Sequence, residues 1–185
     1  MANCFVDQNV ENVDQCPHEE TVAGVSVDLF YIPKDQVATM ALPTVTNTTK
    51  YEDRIKLPAN SIVPVAQKGW KKVTVMVDEN ELGTSLVGNK GNKKNKAEID
   101  VYVPNFKTKN LGFMDANKNT PMIYAIADST GQKWVIGTKN APAYFETAEA
   151  KSGKKAEDNS GITAKITANT KLYALMDDIV VLPDA

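Results

Sequence analysis

The side chains that most often carry out chemistry in proteins are scarce in this sequence and poorly spaced for it. His18 is the only histidine, and the two cysteines, Cys4 and Cys16, lie in the same N-terminal stretch. Zinc takes these ligand types, but the spacing C-x11-C-x-H lacks the short C-x2-4-C step that preforms a tetrahedral site. Two reduced thiols and a surface imidazole explain the pattern better. The sequence therefore predicts no metal site here.

Three acidic residues, Asp78, Glu79 and Glu81, form the other group that could bind a cation. A calcium loop alternates carboxylates, turns at a glycine and closes on a glutamate, and the run DENELG departs from that order. The common nucleophile, phosphate-binding, dinucleotide and zinc-protease motifs are missing as well. We predict a protein that is not an enzyme and needs no cofactor, although a glycosidase-like carboxylate pair would leave no local signature.

The largest cluster of like charge consists of four lysines, Lys90, Lys93, Lys94 and Lys96. Such a cluster can dock onto an acidic neighbour, including a second copy of the chain. It can equally keep a loop tip extended and soluble, because like charges repel one another. Binding of nucleic acid is a weaker interpretation, since no aromatic side chains alternate with these lysines. We treat the four lysines as candidate subunit contacts and keep the first two interpretations open.

Composition limits the classes of partner further. The net charge is −2, and Arg54 is the only arginine. Both features disfavour specific nucleic-acid binding, which relies on many basic groups and especially on arginine. The N-terminus has no basic stretch followed by an apolar one, and no run approaches the roughly 20 apolar residues of a membrane span. We expect a protein that is made in the cytoplasm and has no membrane partner.

The spacing of apolar residues predicts a chain built mainly of β-strands. Val25, Val27, Leu29 and Tyr31 fall at alternate positions, which is typical of a half-buried strand. Further strands are predicted at 51–57, 70–89, 97–106, 123–128, 133–136, 143–150 and 162–175, with a last strand in the apolar run 177–185. The segment that follows Pro33 is expected to add a short helical turn.

The connections between these strands complete the predicted architecture. A turn at residues 129–131 uses Gly131 for its positive φ, and a polar loop around residues 88–97 is expected to protrude. One helix is predicted at residues 110–119, where Leu111 and Met114 lie three apart. The expected fold is mainly β, with an N-terminal arm at 1–20. Residues 21–185 form one antiparallel β-sandwich or barrel-like domain with one short flanking α-helix and long loops.

A recurring layout extends over residues 72–175. A long hairpin is followed by a short helix, two strands around a turn, a loop and a last strand pair; the recognisable pieces are Lys118-Asn119, Thr130-Gly131, Val135-Ile136-Gly137, Ala141-Pro142-Ala143, Gly153-Lys154 and Asp158-Asn159-Ser160-Gly161. This layout resembles structural proteins of tailed bacterial viruses, and among them the tail tube (major tail) proteins. That family is a β-sandwich with one flanking helix, and six copies form a ring that stacks into a hollow tube.

The resemblance implies a virion structural protein of the viral tail, made in the bacterial host. Its partners would be copies of itself and other tail or connector proteins, and DNA would only pass through the tube. The loop at 89–96 would reach a neighbouring ring or subunit, and the helix residues Phe113 and Met114 join the lysines as candidate subunit contacts. The acidic balance would suit a lumen through which DNA slides without sticking.

Two other classes of function stay open. A head-tail adaptor, a tail terminator or a capsid decoration protein would remain monomeric or form a single ring, and would bind only when a partner surface is supplied. A carbohydrate- or receptor-binding module would expose aromatic side chains, and the candidates are Trp70, Trp134, Tyr144 and Tyr173. Each of these four fits a core or cross-strand position equally well.

Overall fold

The computed structural model describes Val10, Asn12 and residues 24–76, 78–155 and 158–183 of the chain. The strands are β1 (Val25–Pro33), β2 (Val37–Met40), β3 (Ile62–Pro64), β4 (Lys71–Thr74), β5 (Glu81–Val87), β6 (Lys94–Pro104), β7 (Met122–Asp128), β8 (Lys133–Ile136), β9 (Tyr144–Lys151), β10 (Gly161–Ala168) and β11 (Tyr173–Leu175), and the helix is α1 (Thr108–Asn117). Cys4, Cys16, His18 and the arm predicted at 1–20, apart from Val10 and Asn12, lie outside the described residues.

The described strands form two packed antiparallel sheets and a small third one. The five-stranded sheet has the order β11-β8-β7-β1-β4, the four-stranded sheet has the order β5-β6-β10-β9, and β2 pairs with β3. The predicted class, mainly β with antiparallel sheets and one α-helix, is confirmed. The sheets stay open, and no closed barrel is found among the described strands.

The first core cluster lies between the two large sheets. Alternate residues of β10 point inward, and all four of Ile162, Ala164, Ile166 and Ala168 are buried, as their spacing predicted. The neighbouring strand β6 contributes a matching row, with Ile99 directly opposite Ile166. Burial of apolar surface at this interface is the main driving force that holds the two sheets together.

A second core cluster lies on the opposite face of the five-stranded sheet. Ile32 of β1 and Ile123 of β7 pair in register there, and Leu57 and Trp70 cover them. The prediction of a half-buried β1 was therefore wrong, because Leu29 and Ile32 are both buried, on opposite faces. The reason is visible in the run LFYI, since a strand covered on both faces is apolar almost continuously.

The segment predicted as one long strand at 70–89 is divided between the two sheets. The N–H of Val75 donates to Val27 O at 2.7 Å in the first sheet, and the N–H of Met76 donates to Tyr102 O at 2.8 Å in the second. Asn80 stabilises this crossing, because its side chain accepts from the Tyr102 N–H at 3.0 Å and donates to Met76 O. Two short strands, β4 and β5, result.

Two other expectations also differ from the structure. Residues 51–57 were predicted as a strand, but Glu52–Arg54 form a 3-10 turn, and the strand pairing with β2 is Ile62–Pro64. The apolar run 177–185 forms no strand among its described residues and makes only one bridge, between Val181 and Trp70. The short helical turn expected after Pro33 is present as a 3-10 turn at Lys34–Gln36.

Candidate functional site

The end of the β5–β6 hairpin is exposed along its whole length. All residues from 84 to 94 are exposed, and Leu86 and Val87 are apolar side chains with 64% and 40% of their surface accessible. Gly88 closes the turn at a φ of +103°, where an added Cβ would lie 2.6 Å from Asn92 O. Alternate residues of β6 from Ala97 onward are buried in the sandwich, so a packed base holds an exposed, partly apolar end.

The structure separates the four predicted lysines. Lys90 and Lys93 lie in the turn, and Lys94 sits opposite Val87 on the exposed ladder. Lys96 faces the outer surface of the four-stranded sheet, where its Nζ lies 3.1 Å from a Glu146 carboxylate oxygen. The turn covers 88–93 and is shorter than the loop predicted around 88–97, because β6 continues its ladder to Lys94. Three lysines thus remain at the hairpin end.

The outer face of the four-stranded sheet is a network of ion pairs. Lys165 Nζ lies 3.2 Å from Glu98 and 3.7 Å from Asp100, and Lys96 also reaches Glu98 at 4.0 Å. The hydrogen bond that Lys165 donates to Glu98 raises the pKa of Lys165 above its ordinary value. Exposed pairs of this kind add little stability individually. The charged residues of this network keep the outer face of the four-stranded sheet hydrated, and carboxylates are numerous among them.

The helix α1 borders the edge strand β9. Phe113 packs between Tyr31 and Phe145, with ring centroids 5.1 Å and 6.1 Å apart. Met114 contacts the first core cluster and also lines a groove of about 270 Å³ between α1 and β9. Of the two helix residues predicted as subunit contacts, Phe113 is thus engaged within the chain, and Met114 reaches an outer groove.

The four candidate aromatic residues occupy different environments. Trp70 and Tyr173 belong to the second core cluster and are 5% and 7% exposed. Tyr144 is 44% exposed on the edge strand β9. Trp134 is half-buried, and its Nε1 donates to Asp128 Oδ2 at 2.8 Å. The four residues therefore do not form one aromatic face.

No protein-family model, curated protein or solved structure matches this chain.

Within the described ranges, no three histidine, cysteine, aspartate or glutamate side chains come together in a way that could hold a metal ion. The acidic residues Asp78 and Glu79 are exposed at the turn before β5. No described helix has the length and apolar content to span a membrane.

Asp128 is a polar centre that the sequence pattern did not reveal. At the end of β7 its carboxylate accepts from the Thr130 N–H at 2.8 Å, the Gln132 N–H at 3.1 Å and the indole of Trp134. Burial would raise the pKa of Asp128, but the hydrogen bonds from Thr130, Trp134 and Gln132 outweigh burial and hold the pKa below its ordinary value. The ionised carboxylate thus organises the β7–β8 turn.

The stability contribution of Asp128 is expected to depend on pH. Because the pKa is depressed, the contribution is present above the unfolded carboxyl pKa and is lost as the pH falls through the folded value. The gap in urea midpoint between wild type and Asp128→Asn should be widest at about pH 6 and should shrink toward about pH 2.5. Asp115→Asn, on the exposed side of α1, is the control and should follow wild type throughout. A gap that widens on acidification would contradict this account.

Proposed function

We propose that this chain is a tail tube subunit of a tailed bacterial virus, which assembles with copies of itself into rings that stack around a conduit for DNA. The observation that carries the proposal is the hairpin end, where a rigid ladder presents Leu86 and Val87 to solvent. Exposed apolar groups on a fixed scaffold favour a protein partner over water. The sandwich with one flanking helix is also the architecture that the resemblance implies.

Charge on two parts of the chain supports contact between copies. The hairpin end carries Lys90, Lys93 and Lys94, whereas the rest of the outer sheet face has five carboxylates against three lysines; these are Glu81, Glu98, Asp100, Glu146 and Glu149 against Lys96, Lys151 and Lys165. Opposite charge on two different patches steers one copy onto the next. When two different patches of identical copies meet, each end copy keeps one patch free for a further copy. The contact therefore repeats, and it either closes into a ring or extends into a filament.

The unpaired edges of the four-stranded sheet offer a second means of contact. Strands β5 and β9 are its outermost described members, and each has a neighbour on one side only. An edge strand presents a row of backbone donors and acceptors to any strand that approaches it. Strand addition between subunits is a recurrent way of using such edges. Rings built in this way would join other tail or connector proteins in the virion.

Electron microscopy of negatively stained protein over a concentration series tests the proposal. The expected result is hollow tubes or stacked rings formed by this protein alone. Single rings that never stack would favour an adaptor or tail terminator. Dispersed monomers at every concentration would favour a decoration protein or a carbohydrate- or receptor-binding module, and binding of the monomer to a glycan array would identify the last of these.

Shortening the hairpin turn tests the role of its exposed end. Replacing residues 88–93 by Asn-Gly keeps β5 and β6 paired through a two-residue turn. We expect the stacked species to disappear from sedimentation profiles while the circular dichroism spectrum is retained. Leu86→Ser should weaken stacking in the same direction, whereas Val180→Ser, at a position 72% exposed and far along the chain, is the matched control. Stacking as in wild type by the shortened variant would refute this role.

A further inference from the structure

A pocket beside the β5–β6 ladder combines two cationic side chains with an apolar wall. It has a volume of about 390 Å³ and is lined by residues of the 3-10 turn Glu52–Arg54 and of strands β5, β6 and β8. Its cations are Arg54 and Lys171, and no carboxylate is among its lining residues. The apolar part of the lining consists of Tyr51, Ile55, Trp134 and Leu172. The pocket is therefore positively charged and mostly apolar.

Arg54, the single arginine of the chain, has no anionic partner among the described residues. Its Nε is buried without a hydrogen-bond acceptor, and its Cζ lies 5.9 Å from the centroid of the Tyr51 ring. The neighbouring carboxylates of Glu52 and Asp53 pair with Lys56 instead, at 2.6 Å and 3.9 Å. A buried N–H without an acceptor is costly, and a carboxylate suits a guanidinium because it accepts two N–H bonds at once.

Lys171 supplies the second positive charge of the pocket. The described carboxylates pair with other lysines, for example Glu146 with Lys96 and Asp178 with Lys133, and none of them pairs with Lys171. Thr84 also lines the pocket, but its hydroxyl already donates to Lys96 O at 3.4 Å. The charged groups left to meet a ligand are therefore both cations, and they favour an anion.

The apolar wall limits the kind of anion further. The only polar atom of the Trp134 side chain, Nε1, donates to Asp128 Oδ2 at 2.8 Å, so the indole offers a ligand only its apolar ring. Small-molecule sites of a few hundred Å³ are typically apolar, with a few polar groups that fix the orientation of the ligand. A bare inorganic anion would leave this wall unused. A sugar acid would bring several hydroxyl groups, for which the lining offers few partners.

We infer that this pocket binds a small aromatic carboxylate, whose carboxylate pairs with Arg54 and Lys171 and whose ring lies against Trp134. A modest rotation of the Arg54 side chain turns its Nε–H toward the ligand, so the bound carboxylate also supplies the acceptor that this N–H lacks. Offset packing of the ligand ring on the indole adds to the burial of apolar surface. All lining residues belong to one chain, so the inference does not depend on whether the chain builds a tube.

Nuclear magnetic resonance of the full chain labelled with heavy nitrogen tests the site, because a single arginine gives a single guanidinium Nε–H signal. Titration with naphthoate is expected to shift this signal downfield and to saturate, as the N–H gains an acceptor. Naphthamide, the uncharged isostere, should leave the signal in place. Acetate carries the charge without the ring and should bind at least about tenfold more weakly.

The same titration has outcomes that would overturn the inference. These are an unmoved Nε–H signal at saturating naphthoate, or equal shifts with naphthoate and naphthamide. Inorganic phosphate or glucuronate that binds more tightly than naphthoate would assign the pocket to a different anion and would overturn it as well. Because these comparisons use the wild-type chain, they do not depend on the folding of any variant.

Charge-neutralising variants identify the residues that hold the carboxylate, with isothermal titration calorimetry as the measurement. Arg54→Gln is expected to weaken naphthoate binding at least about tenfold, the effect of losing a charge-assisted hydrogen bond. Lys171→Gln should weaken it less, by about threefold, because a partly solvated ammonium contributes less. Lys93→Gln removes a positive charge in the hairpin turn, outside the pocket, and should bind as wild type does. Wild-type affinity in a folded Arg54→Gln variant would overturn the assignment.

Discussion

Replacing Ile99 by alanine is expected to lower the free energy of unfolding by about 2–5 kcal/mol. Ile99 has no accessible surface and lies opposite Ile166 at the interface between the sheets. The shortened side chain removes buried methyl groups and leaves a cavity that the flanking strands β5 and β10 cannot collapse without losing their register. Urea unfolding followed by circular dichroism measures the loss.

Leu86→Ala is the control for this prediction, because it truncates a branched apolar residue two positions before the hairpin turn. Leu86 is 64% exposed, so its truncation should change the free energy of unfolding by less than about 0.5 kcal/mol. The same variant should impair stacking of the proposed tube. Equal losses of stability in Ile99→Ala and Leu86→Ala would contradict the assignment of Ile99 to the core and of Leu86 to an exposed contact surface.

Gly137→Ala is expected to lower the free energy of unfolding by roughly 2–4 kcal/mol, because it combines a backbone cost with a steric one. Gly137 has a φ of +89°, and an added Cβ would lie 2.8 Å from Ala143 N and 2.9 Å from Met122 O. These two atoms form a backbone hydrogen bond of 2.8 Å, so the methyl group would disrupt it. Thermal unfolding measures the loss.

Gly131→Ala isolates the backbone part of that cost. Gly131 has nearly the same φ, +88°, but nothing lies within 4 Å of the position that its Cβ would take. We expect a loss of about 1 kcal/mol, the cost of a left-handed conformation in an L-residue. The difference between the two variants then measures the steric contribution at Gly137. Equal losses would show that the bridge between Met122 and Ala143 is dispensable.

Elements whose pattern is local were predicted well from the sequence. The alternation Ile162, Ala164, Ile166 and Ala168 identified β10 and its buried face, and Gly131 marked the β7–β8 turn. The helix was predicted at 110–119 and begins two residues earlier, because Asn110 donates to Pro104 O and Asn105 O at 2.9 Å and ties its first turn to β6.

The assignment of strands to sheets could not be predicted, because pairing depends on residues far apart in sequence. Nothing local shows that Val75 bonds in one sheet and Met76 in the other. The sequence also does not show which segment covers the apolar residues on the second face of β1. That segment is irregular, so it has no periodic pattern to identify it. The strand expected at 177–185 is not formed among the described residues for a related reason. Val181 bridges to Trp70 in the irregular layer and does not pair with a sheet edge.

The candidate sites show the same contrast. Four clustered lysines marked the hairpin end from the sequence, although only the structure showed that Lys96 belongs to another surface. The pocket lined by Arg54, Trp134 and Lys171 left no signal in the sequence, because these residues are brought together from three distant parts of the chain.

The layer that covers the second core cluster has a consequence for biosynthesis. Ala174 exchanges backbone hydrogen bonds with Ile55 and Leu57, and Lys71 donates to Leu182 O across 111 positions. During translation, residues 55–71 are synthesised long before their partners at 174–182. The hydrogen bonds of this layer therefore cannot form until the last residues of the chain have been made. Newly made chains therefore finish folding late, and Trp70 fluorescence would report that last step.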